Sequence, residues 1–328
     1  MKRVYSSRAH KNTTTRHGSA PNAKQALVIA LNYEGSPIPL GGCEVDGYNM
    51  TKFFESRGYD VTTLSATVGR MTGRADMQPT RCNIIAWMEK LSKTPGLQKM
   101  AIFYAGHGSQ LRDTNGDEKD GMDECLVCQN PAGPHRMPGS SDMYRDDDIL
   151  SDVRRFYGSL DIDLFLMFDA CHSGTICDLG WELTRDGKWI PCNGGYLRAP
   201  SETYRLVCFS AAQDNECALE AGSGGGLMTN KFLASVRKGN LSLEGFNTEF
   251  STMSFQRPQI SAAQSTDLRS VFGDSILVTS GATRSSKRAV SANVAAKGTR
   301  AIAIVPPSVK PAINDWFSEL AQALSQKF

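Results

Sequence analysis

A parallel β-sheet covered by helices on both faces, an α/β sandwich, is the architecture that this 328-residue sequence predicts. Two observations carry it. Short apolar runs of strand length alternate with segments whose apolar residues recur at helical spacing, and such alternation pairs successive strands in parallel through right-handed crossovers. Two of the apolar runs also end directly in glycine-flanked His and Cys residues, and the carboxyl ends of strands are where an open α/β sheet gathers its functional groups.

The first run, Ala26 to Leu31 (ALVIAL), reads as a buried strand, and the stretch EGSPIPLGG after it reads as a loop. From Asp46 to Phe54 the residues Tyr48, Met50, Phe53 and Phe54 mark a helix that closes at Gly58, and Asp60 to Leu64 is a second strand. Pro79 suits a helix start, Ile84, Ile85, Trp87, Met88 and Leu91 form its apolar stripe, and Met100 to Tyr104 (MAIFY) is again a strand. Leu150 to Tyr157 is helical, Ile162 to Phe168 a fourth strand, Arg205 to Ser210 a further strand, Thr229 to Val236 a helix and Pro258 to Ser261 a short strand, whereas 179–203 is loop-like. The chain divides into a disordered basic leader (1–24), one folded domain (25–275), a flexible basic linker (276–300) and a terminal helical segment (301–328). In the last, Ile313, Trp316, Phe317, Leu320 and Leu324 share one helix face that docks on the domain or on a membrane surface or partner.

With 36 basic and 34 acidic residues the net charge is only +2, which gives no electrostatic case for nucleic acid. No apolar run reaches the ~20 residues of a membrane span, and the first residues lack the apolar block of a secretory signal. Nine dispersed cysteines read as thiols of a reducing compartment, so an intracellular, cytoplasmic monomer is expected.

The chemistry lies at two strand ends. MAIFY runs into Ala105-Gly106-His107-Gly108, and IDLFLMF runs into Asp169-Ala170-Cys171-His172-Ser173-Gly174. A thiol with pKa ~8.5 needs a neighbouring imidazole to take its proton before it can attack a carbonyl, and His107 with Cys171 supplies that pair. The adjacent His172 points away in extended backbone. Backbone N–H groups of Gly108 and Cys171 are the candidate donors to an oxyanion. Asp169 follows one strand and Asp46 sits in the loop after another, so both carboxylates face this edge and suit a guanidinium or ammonium; Asp46 also reads as a helix N-cap. Acidic residues cluster at Asp113, Asp117, Glu118, Asp120, Asp123 and Glu124, and again at Asp146, Asp147 and Asp148, an oxygen-rich set that suits Ca²⁺ or forms a solvated acidic face. From Asp113 the spacing is that of an EF-hand loop, but Glu118 occupies the glycine position. Cys125 and Cys128 lack the second pair that zinc would need. Cys43, beside the acidic pocket, is either reactive or packed.

Tyr104-Ala-Gly-His-Gly-Ser109 and Asp169-Ala-Cys-His-Ser-Gly-Thr175, with His107 and Cys171 separated by 64 residues, resemble the two catalytic signatures of metacaspases of the compact type I form, in peptidase family C14 of the caspase-like clan. The resemblance runs from about Ala26 to Gly273 and includes Gly41 to Asp46 and Gln256 to Gln259. It implies a three-layer α/β/α caspase-like sandwich with a mainly parallel central sheet, and a cysteine endopeptidase that hydrolyses peptide bonds after Arg or Lys by a His107–Cys171 dyad. It also implies a substrate pocket lined by Asp46 and Asp169, with Cys43 and Ala105 beside them; Ala105 stands where a hydroxyl is frequent in the family. Activating Ca²⁺, held by four aspartates, matches Asp123, Asp146, Asp147 and Asp178. Self-processing would fall at Arg185, Lys188 or Arg198. The competing reading is a catalytically silent caspase-like scaffold that works by binding, against which the retention of both His107 and Cys171 argues.

Overall fold

The computed structural model describes residues 23–264 except 117, 119, 120, 172, 175, 178, 193–202, 213–223, 240, 241 and 255. In chain order its strands are β1 (Ala23–Ala30), β2 (Asp60–Leu64), β3 (Leu97–Ala105), β4 (Gly108–Arg112), β5 (Met122–Val127), β6 (Met143–Arg145), β7 (Asp163–Asp169), β8 (Trp181–Leu183), β9 (Trp189–Pro191), β10 (Arg205–Ser210) and β11 (Gln259–Ala262). The helices are α1 (Cys43–Ser56), α2 (Ala66–Thr72), α3 (Arg81–Ser92), α4 (Asp146–Tyr157), α5 (Leu227–Arg237) and α6 (Leu243–Ser251). Among the described residues one sheet runs β2-β1-β3-β7-β10-β11-β8-β9 and a small one runs β4-β5-β6. The first five strands of the large sheet pair in parallel, and β11, β8 and β9 complete it antiparallel.

The continuous apolar runs are buried because both faces of the sheet are covered. Successive strand residues alternate between two cores. Leu27, Ile29, Met100, Ile102, Leu164 and Leu166 pack with Ile84, Trp87 and Met88 of α3 and Ile149, Val153 and Phe156 of α4. Ala26, Val28, Ala101, Phe103, Phe165 and Met167 pack with Met50 and Phe54 of α1, Phe232 of α5 and Phe246 and Phe250 of α6. The result is the expected three-layer α/β/α sandwich.

Several expectations need correction. β1 begins at Ala23, inside the segment read as leader. Helix α1 starts at Cys43, so Asp46 lies in its first turn and neither in a loop nor at the N-cap, which is Gly42. Pro79 precedes α3, whose N-cap is Thr80, accepting the Asn83 N–H through its hydroxyl. The Asp146–Asp148 triplet opens α4, with Arg154 and Arg155 in the last turn, an arrangement that complements the helix dipole. Residues 181–191, read as loop, form the β8–β9 hairpin at the edge of the large sheet. Helices α2 and α6 and strands β4 and β6 were not foreseen, whereas β5 overlaps the segment Cys125 to Cys128 that reads as a strand. The linker 276–300 and the helix expected over 301–328 lie outside the described residues.

Candidate active site

The strand order reverses at β1: β2 lies on one side and β3, β7 and β10 on the other. At such a switch point the loops at the carboxyl edge part and leave a crevice. Strands β3 and β7 are neighbours in parallel register, with Ala105 opposite Asp169. His107 and Cys171 each stand two residues beyond that last pair, so the register that aligns the strands places both residues just past the same step of the ladder. The loops run together past the strand ends, since Gly106 N–H donates to Asp169 O at 3.4 Å. Gly108 comes so close that a Cβ there would collide with the Cys171 carbonyl oxygen. Its glycine is therefore a packing requirement of the two loops. Both His107 and Cys171 are half-buried.

Three groups hold these loops, and only the third, Ser173, belongs to a motif of the sequence. The Nε2 of His107 lies 3.0 Å from the carbonyl oxygen of Ile38. A carbonyl only accepts, so Nε2 carries a proton, and in the neutral ring Nδ1 keeps the lone pair. The backbone N–H of His107 donates to the Tyr33 hydroxyl at 3.0 Å, and the Tyr33 ring packs on the imidazole with centroids 4.9 Å apart. On the other loop the buried Ser173 hydroxyl donates to Ala170 O at 2.9 Å and accepts the Ala211 N–H at 3.2 Å, tying the Cys171 turn to the end of β10. His172 lies outside the described residues.

Asp46 and Asp169 do converge. Asp46 Oδ2 accepts the Gly226 N–H at 2.7 Å, and Asp169 Oδ2 accepts the Thr229 N–H at 3.0 Å and its hydroxyl at 2.6 Å. A Cβ on Gly225 would collide with the Asp46 carboxylate, and one on Gly226 with that of Asp169. Both acids thus lie under two consecutive glycines at the N-terminus of α5, where the helix dipole favours negative charge. They are 1% and 6% exposed. Ala105 sits beside Asp169 in the register, 1% exposed, and Cys43, 5% exposed, packs in the α1-side core.

Of the expected metal ligands, Asp123, Asp146 and Asp147 each offer an oxygen within 4.8 Å of the others; Glu118, Glu124 and Asp146 do the same. Asp178 lies outside the described residues. Burial, with Glu124 and Asp147 close by, raises the Asp146 carboxyl to about 7. Asp123 pairs through Oδ2 with Arg145, while its buried Oδ1 has no hydrogen-bond partner among the described residues. Buried oxygens in excess of their donors fit a hard cation. Asp113, where the EF-hand spacing began, is turned inward on its own loop: its carboxylate accepts the N–H groups of Asn115, Gly116 and Glu118. Arg185 and Lys188 occupy the turn of the β8–β9 hairpin, and Arg198 lies outside the described residues.

The layers and the paired strand ends define a caspase-like α/β/α protein with a histidine and a cysteine on adjacent loops. Residues 24–180 match the family described as metacaspase, peptidase C14 domain. Through this segment the chain is similar to the peptidase domain of metacaspases. Metacaspase-1 of Saccharomyces cerevisiae (strain YJM789) is 32% identical over 172 residues, covering 50% of this chain and 36% of that protein. Metacaspase-1 of Mycosarcoma maydis is 32% identical over 180 residues, covering 54% and 42%. The Cryptococcus neoformans var. neoformans Metacaspase-1 is 33% identical over 166 residues, covering 50% and 34%. The chain thus spans between 34% and 42% of the length of these relatives. The crystal structure of protein GSU0716 from Geobacter sulfurreducens has a TM-score of 0.52 at 22% identity, over 75% of this chain and 95% of that one, a likeness of fold. No helix among the described residues is long and apolar enough to cross a membrane.

Proposed function

We propose that the protein is a cysteine endopeptidase that cleaves peptide bonds after Arg or Lys, with Cys171 as nucleophile and His107 as base. The observation that carries this reading is the shared offset of the two residues from the Ala105–Asp169 pair, with Gly108 packed against the Cys171 carbonyl. His107 Nδ1 takes the thiol proton, and the sulfur bonds to the substrate carbonyl carbon. The oxyanion is met by N–H groups of Gly108 and Cys171. Imidazolium returns the proton to the leaving nitrogen as the C–N bond breaks, and water then hydrolyses the thioester with His107 again as base. A basic side chain entering beneath Gly225 and Gly226 would meet two carboxylates in a low-dielectric site, where charge-assisted bonds are strongest.

Asp123, Asp146 and Asp147 would hold the activating Ca²⁺, and the ion would add to the single Arg145 charge beside these three carboxylates. Self-processing belongs to the same reading, with Arg198 as its site.

A second reading has its own support, since Asp46 and Asp169 already accept N–H groups at the start of α5. As anchors alone they would affect stability and leave selectivity untouched. Hydrolysis of Arg, Lys and Asp fluorogenic peptides by wild type, Cys171→Ala and Asp46→Asn, with and without Ca²⁺, decides. Wild type should cut Arg and Lys peptides, Cys171→Ala none. Asp46→Asn should lose about a hundredfold in kcat/KM on Arg substrates, the scale of a buried charge pair that loses one partner. Unchanged kcat/KM in Asp46→Asn would leave the anchor role, and no Arg cleavage by wild type under any condition would favour the scaffold.

A further inference from the structure

Resting on the reading of His107 as the base, we propose that Tyr33 is a positioning residue for the His107 imidazole, fixing its backbone through the hydroxyl and its ring by packing.

Tyr33 is the one non-glycine residue among those described with a left-handed backbone, φ 49°. Bulky side chains rarely adopt this region, and when they do the surrounding structure holds them there. What holds it is a set of hydrogen bonds whose protons can be counted. The Tyr33 hydroxyl has one proton, given to Val127 O at 2.6 Å, and accepts the His107 N–H at 3.0 Å. The Tyr104 hydroxyl has one proton and two carbonyls in reach, His107 O at 2.8 Å and Val127 O at 3.0 Å, and the nearer one, His107 O, also accepts the Val127 N–H at 3.0 Å. The two hydroxyls are 3.1 Å apart in a core where the tyrosines are 3% and 0% exposed. A Cβ on Gly106 would crowd both of them. Both main-chain polar groups of His107 are therefore gripped by buried phenols.

The same loop completes the hold from the side-chain end. Ser36 N–H donates to Tyr33 O at 3.0 Å, Ile38 N–H donates to Ser36 Oγ at 3.1 Å, and Ile38 O faces His107 Nε2. One short loop thus supplies the backbone anchor, the ring against which the imidazole packs, tilted by 35°, and the carbonyl that selects the tautomer. An aromatic that merely filled core space would need neither the left-handed backbone nor the hydroxyl.

The test uses the full chain as wild type, Tyr33→Phe and Tyr33→Leu. Histidine ¹⁵N chemical shifts, with the His107 signal assigned through His107→Gln, report the tautomer of the neutral ring. Wild type should hold a single tautomer with the proton on Nε2, and Tyr33→Phe should show exchange between tautomers. Its kcat should fall by about tenfold to a hundredfold with KM unchanged, as misorientation of a catalytic group predicts, and Tyr33→Leu should fall further. An unchanged tautomer and kcat in Tyr33→Phe would overturn the assignment. If that variant does not fold, the wild-type spectrum decides: exchanging tautomers there overturn the proposal and one fixed tautomer supports it. Loss of the fixed tautomer in Tyr33→Phe, in a wild-type protein that cuts no peptide, would keep the positioning role and remove the peptidase reading.

Discussion

Cysteines in this chain differ by environment more than by position. Burial, with Asp146 and Glu124 nearby, pushes the Cys125 thiol up to about 12, and burial also raises Cys128. Thiolate is the reactive form. Iodoacetamide at pH 8 should therefore label the half-buried Cys171 and the exposed Cys82 while sparing Cys125 and Cys128, as read by peptide mass spectrometry; early labelling of Cys125 would contradict the burial argument. Gly108→Ala should remove activity by at least about a hundredfold, because the new methyl meets backbone and not a movable side chain; a variant with wild-type kcat would show that the two loops are not locked together. His107, Cys171, Asp46 and Asp169 were legible because their side chains declare their chemistry and follow recognisable strands or loops. The Ile38 carbonyl was not, since every residue type presents the same oxygen. Nor was Tyr33, whose backbone lies in a turn that no tyrosine signals.

Helix α5 joins the core to the acidic pair. Phe232, 0% exposed, packs near the rings of Phe53, Phe165, Phe209 and Phe246, while the other end of the helix meets Asp46 and Asp169. Phe232→Ala should cost about 3–5 kcal/mol in denaturant unfolding; a loss below about 1 kcal/mol would mean that the aromatic cluster is not what seats the helix. The β8–β9 hairpin makes a different point. Thr184 N–H donates to Lys188 O at 2.8 Å, and Lys188 N–H returns to the Thr184 hydroxyl at 3.0 Å. Arg185 and Lys188 are thus exposed but folded back, whereas a peptidase needs extended chain. Incubation with Ca²⁺ should produce no new terminus after either residue in the folded protein, a result that terminal sequencing by mass spectrometry checks. The hairpin escaped the sequence because each of its strands has three residues, too few for a two-residue period to register. Strands β1, β3 and β7, apolar at nearly every position, were plain.

For the molecule as a unit, the acid cluster joins stability to pH. The Asp146 carboxyl is raised by burial from 3.8 to about 7, so the folded state binds its proton more tightly than the unfolded chain does. Its contribution is fully present below about 4 and is lost as pH rises through about 7. In chelator the melting temperature should fall over that window, and Asp146→Asn should flatten the fall; an equal slope in the variant would exclude Asp146 as its source. The layered architecture was readable from strand and helix periods, whereas the β4-β5-β6 sheet was not, because its pairing partners lie across loops whose composition speaks of solvent and charge.

The register of Ala105 opposite Asp169 has one more consequence. The sequence separation of 64 positions between His107 and Cys171 does not set where they meet; the hydrogen-bond ladder of β3 and β7 does. Chain inserted at the exposed stretch around Arg136 would lengthen the path along the sequence and leave the pair where it stands. Chain added there changes the sequence separation and leaves untouched the ladder step on which the pair stands.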